Sequence, residues 1–333
     1  MRIGQRVMRR CTAFLLCVIG PATGGCGAQG MLLGTSGSHL LTTADALALP
    51  GEEVRLRARV QGGDLLRARP GLVVRFYRDG RLFKAAETGG DGVAEVSFTA
   101  PKAGDYVFSA DVAPAGLGDD VPPPAQLRIA CRDADARLVI VDLDKTVVAS
   151  GFHTVLIGEA AEMPDSPRVL ARVAKGRTIV YLTHRPDYFG PKSKAWLKAK
   201  GFPPGPVLLS SVSGFLGGSG EYKAAAIRAM RQRFKNVEIG IGDKPSDVAA
   251  YHANGLRAFL IVQVPAGDDP AGFDALADEI AALPPAVQVV TTWGQIEKAL
   301  FDGATFGPSA IEARLRKLAD ARRKAPPPSG DPK

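Results

Sequence analysis

The stretch Val139-Ile140-Val141-Asp142-Leu143-Asp144-Lys145-Thr146 decides how the second half of the chain is read. A short, continuous apolar run ending in acids reads as a strand buried on both faces, whose carboxyl end opens onto a polar edge. Asp142 and Asp144 are two residues apart, so strand alternation points both side chains the same way. Acids in this place sit where doubly wound sheets bind their ligands. One Asp there is an ordinary strand end; Asp-x-Asp-x-Thr is a candidate site.

Working outward, further apolar runs at 178–182, 207–209, 237–241, 258–262 and 287–290 alternate with helical stretches. This pattern predicts an α/β fold with a doubly wound parallel sheet covered on both faces. Asp165-Ser166-Pro167 reads as the capped start of a helix that Gly176 ends. Glu221–Arg233 and Asp247–Asn254 read as two more helices, the second closed by Gly255. Residues 309–333 read as a basic helix running into a disordered Pro-rich tail, separate from a domain at 133–308.

Upstream the grammar differs. Val54, Leu56, Ala58 and Val60 alternate with Arg55, Arg57 and Arg59, and Tyr106, Phe108, Ala110 and Val112 alternate again. Asp79-Gly80 between two apolar runs signals a hairpin. Short strands at this spacing predict a smaller all-β sandwich over 38–131, a spacer or binding module. Residues 113–124 carry four prolines and read as a linker or as a long loop before the last strand. The sandwich resembles the immunoglobulin-like modules common in exported bacterial proteins.

The formal net charge of +8 is confined to the ends of the chain. Residues 1–10 contribute four arginines and no acid, and 309–333 contribute seven bases and three acids. Subtracting both from 42 bases and 34 acids leaves 31 of each in the body. A neutral body lacks the electrostatic footprint of a nucleic-acid binder. Arg2, Arg6, Arg9 and Arg10, then the apolar 13–19, then Ala22–Cys26 have the layout of a secretory signal, so export is expected. Thr23-Gly24-Gly25-Cys26 resembles a bacterial lipobox, which implies a lipidated Cys26 and a periplasmic or outer-envelope lipoprotein. No run of 18 apolar residues occurs, so a multi-span membrane protein is excluded. Cys131 is the one cysteine of the body, so no disulfide within it is expected.

Three later segments fall on the same sheet edge as Asp142: Thr183-His184-Arg185 after the second strand, Glu221-Tyr222-Lys223 at a helix start, and Gly242-Asp243-Lys244-Pro245-Ser246-Asp247 after the fourth strand. Together they resemble the haloacid-dehalogenase (HAD) superfamily of phosphohydrolases. Leu182-Thr183-His184-Arg185, Pro206–Ser210, Tyr222-Lys223 and Gly242–Tyr251 look like the catalytic domain of lipin-type phosphatidate phosphatases. Lys145 stands where that family has Gly, and Asp243 where lipins usually have Asn.

The resemblance implies a phosphatase with Asp142 as nucleophile and Asp144 as acid and base, a role needing a raised pKa that neighbouring carboxylates would supply. It implies Thr183 on the phosphoryl group and Lys223 neutralising Asp142 and the phosphate. Thr146, His184 and Arg185 are substrate-binding candidates; His153 is a weaker one. Asp142, Asp144, Asp243 and Asp247 are the expected metal ligands. Four carboxylates and a phosphate against one ammonium call for a cation, and oxygen-only ligands suit Mg²⁺. The basic helix face of Lys192, Lys194, Lys198 and Lys200 reads as solvated, or as a contact for anionic lipid. The gaps after Thr146 and Ser210 are too short for a cap domain, so the site reads as open to large or surface-bound phosphates. The expected activity is Mg²⁺-dependent phosphomonoester hydrolysis, with phosphatidate or another membrane-associated phosphate as substrate. The alternatives are a general extracytoplasmic phosphatase or nucleotidase, a non-catalytic lipid-phosphate binder, and an envelope-binding protein led by the sandwich.

Overall fold

The computed structural model describes residues 39–324, except 64, 116, 118, 152–159, 211–217 and 265–268. The signal and Cys26, the expected tail beyond 324, and His153 all lie outside the described residues.

The first half forms strands β1 (His39–Thr43), β2 (Ala46–Ala48), β3 (Glu53–Gly62), β4 (Arg67–Ala68), β5 (Val73–Arg78), β6 (Arg81–Glu87), β7 (Val93–Thr99), β8 (Gly104–Val112) and β9 (Ala125–Cys131). One sheet has β3 at its centre, paired with β1, β4 and β7; the other runs β2-β9-β8-β5-β6. Alternation does what the sequence requires: Leu56, Ala58 and Val60 are buried while Arg55 and Arg57 are exposed. The inward faces meet in an apolar core built around Leu56, Phe76, Phe98, Phe108 and Ile129. The β5–β6 turn has positive φ at both Asp79 and Gly80, as a tight hairpin needs. Because β9 pairs with β8 and β2, the chain is still part of the sandwich after the proline-rich 113–124, so this stretch connects two strands of one domain and does not link two domains.

The second half forms β10 (Arg137–Val141), β11 (Thr178–Pro186), β12 (Val207–Ser210), β13 (Asn236–Gly242), β14 (Arg257–Ile261) and β15 (Gln288–Val290). Their helices are α1 (Ser166–Val173), α2 (Gly190–Ala199), α3 (Ser219–Arg231), α4 (Pro245–Ala253), α5 (Pro270–Ala281), α6 (Trp293–Phe301) and α7 (Pro308–Lys324). All five neighbouring pairs are parallel, in the order β12-β11-β10-β13-β14-β15. The order reverses at β10 and β13, the crevice where such sheets take ligands. Two apolar clusters cover the sheet's two faces, one through Val139, Val141 and Trp293, the other through Leu138, Ile140 and Tyr251.

Two local expectations need correction. Asp165 does not cap α1 with its side chain. It sits in the left-handed region at φ 65, and its carboxylate accepts from Arg168 of its own helix at 3.1 Å. The helix α7 is not a separate appendage, because Leu315 and Ala319 are fully buried in the core against α5. Gly240-x-Gly242 serves packing: a Cβ on Gly240 would lie 2.5 Å from the ring of Tyr251.

Candidate active site

Asp142 follows β10, and its amide donates to the Ile241 carbonyl of β13 at 3.0 Å, which fixes it at the crevice. Its Oδ1 accepts from the Leu143 amide at 2.7 Å, and its Oδ2 lies 2.8 Å from the Lys223 ammonium. Lys223, on the first turns of α3, is fully buried and also donates to Asp247 Oδ2 on α4. Ser219 donates to the same Asp247 oxygen at 3.3 Å. One ammonium thus joins two carboxylates carried by different elements. Burial alone would lower the Lys223 pKa, but Asp142 and Asp247 hold it well above its ordinary value.

Asp142, Asp243 and Asp247 each offer a carboxylate oxygen within 4.8 Å of the others. Oδ1 of Asp243 and Oδ1 of Asp247 are buried without a hydrogen-bond partner. Burial, and then the Asp142 charge, push the Asp243 carboxyl up to about 7. Three carboxylates facing one ammonium, with two spare buried oxygens, fit a hard divalent cation.

Asp144 stands apart from this group. Its two oxygens accept a fork from Arg185, Nη2 to Oδ1 at 2.7 Å and Nε to Oδ2 at 2.9 Å. Nη1 of Arg185 donates to Ser193 Oγ on α2 at 2.8 Å. This departs from the sequence reading in two ways. Asp144 is not grouped with the other three acids as a ligand, and a guanidinium rather than neighbouring carboxylates faces it. Arg185, read as substrate-binding, is committed to Asp144 and Ser193.

Thr183 is buried at the end of β11, and its Oγ1 accepts from the Arg185 amide at 3.4 Å. His184 is half-buried against Tyr222, ring centroids 5.7 Å apart, and burial pushes the Tyr222 phenol up to about 12. Thr146 is fully buried with its hydroxyl unpartnered, and its carbonyl accepts from Trp293 Nε1 at 2.9 Å. Lys145 takes φ 52, a conformation glycine adopts more easily.

Nothing in the sequence signals a second layer around this edge. Lys194 is not on a solvated face: its ammonium reaches Asp45 of the sandwich at 2.6 Å and the Gln126 carbonyl at 3.0 Å. Asp45 also accepts from the amides of Arg128 and Val207, both at 2.9 Å. Arg59 of β3 donates to Asp187, two residues past Arg185, at 2.8 Å. A cavity of about 380 Å³ lies along this junction, lined by Arg57, Arg59, Asp187, Leu209, Ser210 and Tyr222 among others. A helical period shows that a lysine faces outward; it does not show that another domain waits there.

No curated protein sequence matches the chain. The chain is similar to the solved structure of a mutant complex between a titin domain and the obscurin-like 1 Ig domain, with TM-score 0.23, 16% identity and coverage of 29% of this chain and 96% of that one. It is similar to the CARDB domain of PF1109 from Pyrococcus furiosus, with TM-score 0.21, 17% identity and coverage of 29% and 99%. It is similar to the fibronectin(III)-like modules of CbhA from Clostridium thermocellum, with TM-score 0.22, 17% identity and coverage of 29% and 48%. Residues 139–263, which hold Asp142, Asp144, Arg185, Lys223, Asp243 and Asp247, match the family model described as PITM 1-3, LNS2 domain, the lipin/PITM-type, HAD-like phosphatase fold.

Proposed function

We propose that the protein is a Mg²⁺-dependent phosphomonoesterase working through an aspartyl-phosphate on Asp142, with phosphatidate or another membrane-associated monoester as substrate. The observation that carries this reading is the buried Lys223 ammonium shared by Asp142 and Asp247, with Asp243 beside them, at the point where the sheet order reverses. A buried charge cluster is costly unless paired, and phosphoryl transfer is a reaction that uses one.

In this mechanism Asp142 attacks phosphorus in line. The Asp142–phosphorus bond forms as the bond to the ester oxygen breaks, and Asp144 gives that oxygen a proton. Water then attacks phosphorus, its proton passes to Asp144, and Asp142 is released with inorganic phosphate. Lys223 balances charge on Asp142 and on the transferring group, and Thr183 donates a hydrogen bond to it. The Arg185 fork takes one lone-pair direction on each Asp144 oxygen and leaves another open for the proton. Asp142, Asp243 and Asp247 would hold the cation, whose part when bound is to neutralise phosphate oxygens.

The test is phosphate release by the full chain from phosphatidate vesicles, glycerol 3-phosphate, nucleotides and a phosphopeptide, with Mg²⁺ and with EDTA. Release that needs Mg²⁺ and disappears in Asp142→Asn is expected; activity surviving Asp142→Asn would remove the covalent mechanism. Turnover of soluble monoesters alone would put a general extracytoplasmic phosphatase in place of the lipid reading. Phosphatidate binding without turnover would leave a non-catalytic binder. Membrane attachment through Cys26 belongs to the same proposal, and labelled palmitate incorporation lost in Cys26→Ala is its readout.

A further inference from the structure

The sandwich meets the α/β domain at the segment that carries Arg185, whose fork holds Asp144. Lys194 and Ser193 are neighbours on α2. Lys194 is inserted into the sandwich, where it meets the Asp45 carboxylate, the Thr43 carbonyl at 3.2 Å and the Gln126 carbonyl at 3.0 Å. Ser193 accepts from Arg185, and Arg185 forks Asp144. From the other side Arg59 holds Asp187, the first residue of the 3-10 turn Asp187–Phe189 that follows β11. The Asp45 side chain is 3% exposed and takes donors from β9, from α2 and from the first residue of β12. Such a saturated buried carboxylate allows little relative movement of the three elements.

We infer that the sandwich is a working part of the catalytic unit, and that through Lys194–Asp45 and Arg59–Asp187 it holds the Arg185 fork that aims Asp144. Arg185 is then a positioning residue, not a ligand for the substrate. The inference rests on the phosphatase reading for the task given to Asp144, but the mechanical link from sandwich to fork is a separate claim. A proton-transfer group displaced by about 1 Å loses on the order of 10²-fold in rate, so a device that fixes its direction has a large effect available to it.

Three full-chain variants test it: Arg185→Lys, Lys194→Met and Arg59→Met. Arg185→Lys keeps the charge and loses the fork, so kcat is expected to fall about tenfold or more while KM for the monoester moves less than about twofold. Lys194→Met and Arg59→Met are expected to lower kcat severalfold alone, and to add little in the Arg185→Lys background because they act through the same group. A rise in KM at constant kcat in Arg185→Lys would return Arg185 to substrate binding and overturn the inference. Fully additive losses would overturn it as well.

Amide hydrogen exchange supplies the readout that does not need activity. Exchange across 183–200 is expected to quicken in Lys194→Met while β5 and β8 stay protected. Unchanged exchange there would sink the link whatever the enzyme does. A wild-type chain that hydrolyses no monoester would sink the phosphatase reading, while the exchange result would still decide whether the sandwich holds the fork.

Discussion

In the sandwich the most deeply buried large side chains are Leu56, Phe76, Phe108, Leu127 and Ile129. At the carboxyl edge of the α/β sheet, Lys223 and Asp247 are as inaccessible as the valines of β10, and Asp142 is close behind at 4%. The two regions therefore owe their order to different forces. Apolar burial favours folding with every group removed from water. Buried charge opposes folding unless each ion has partners, and Asp243 and Asp247 still keep one unpartnered oxygen apiece. Local cost of this kind marks the carboxyl edge as the part of the molecule shaped for chemistry.

Asp142 is the residue whose change separates the two regions most. Asp142→Asn keeps the oxygen that accepts from Leu143 and removes one of three crowded negative charges. Phosphate release is expected to fall at least about 10³-fold, as for loss of a nucleophile. Stability of the metal-free chain in urea should not fall with it, because repulsion is relieved. A clear loss of stability would mean that the cluster is structural.

Lys223→Met is the next largest. It leaves Asp142 and Asp247 buried without their ammonium and is expected to cost about 3–5 kcal/mol in urea denaturation. A cost of a fraction of that would show that Lys223 does not balance the cluster. The sandwich control is Ile129→Val, expected to cost only about 0.5–1.5 kcal/mol and to leave kcat unchanged. A fall in kcat there would show that the sandwich core, and not only its contact with α2, bears on catalysis.

The same contrast explains what could be read from sequence. The six parallel strands and the alternating sandwich strands follow from local periodicity, which burial imposes directly. Asp142, Lys223, Asp243 and Asp247 were legible because each ends a strand or begins a helix, positions that a doubly wound sheet gathers at one edge. The Arg185–Asp144 fork and the Lys194–Asp45 contact were not. They join residues 41 and 149 positions apart through side chains whose direction no period encodes. Asp165 escaped for a smaller reason: residue type favours a cap there, but its left-handed backbone turns the carboxylate toward Arg168 instead.

The smallest expected effect lies on the surface, where ion pairs carry little energy. Glu297 of α6 accepts from Arg168 at 2.8 and 3.0 Å and from Arg172 at 2.9 Å, both on α1. Hydrogen bonds from these two guanidiniums, Arg168 first, hold its carboxyl down at about 2, against an ordinary value of 4.5. A folded pKa below the unfolded one stabilises the folded state above pH 4.5 and loses that contribution as the pH falls toward 2. Glu297→Gln should therefore lower Tm slightly at pH 7, and the difference from wild type should shrink as the pH falls from 4.5 toward 2. Added salt should shrink it too, since exposed pairs are screened. A Tm difference that stays constant across this range would assign Glu297 a packing role between α1 and α6. A difference as large as that of Lys223→Met would erase the distinction between buried and exposed charge on which the comparison stands.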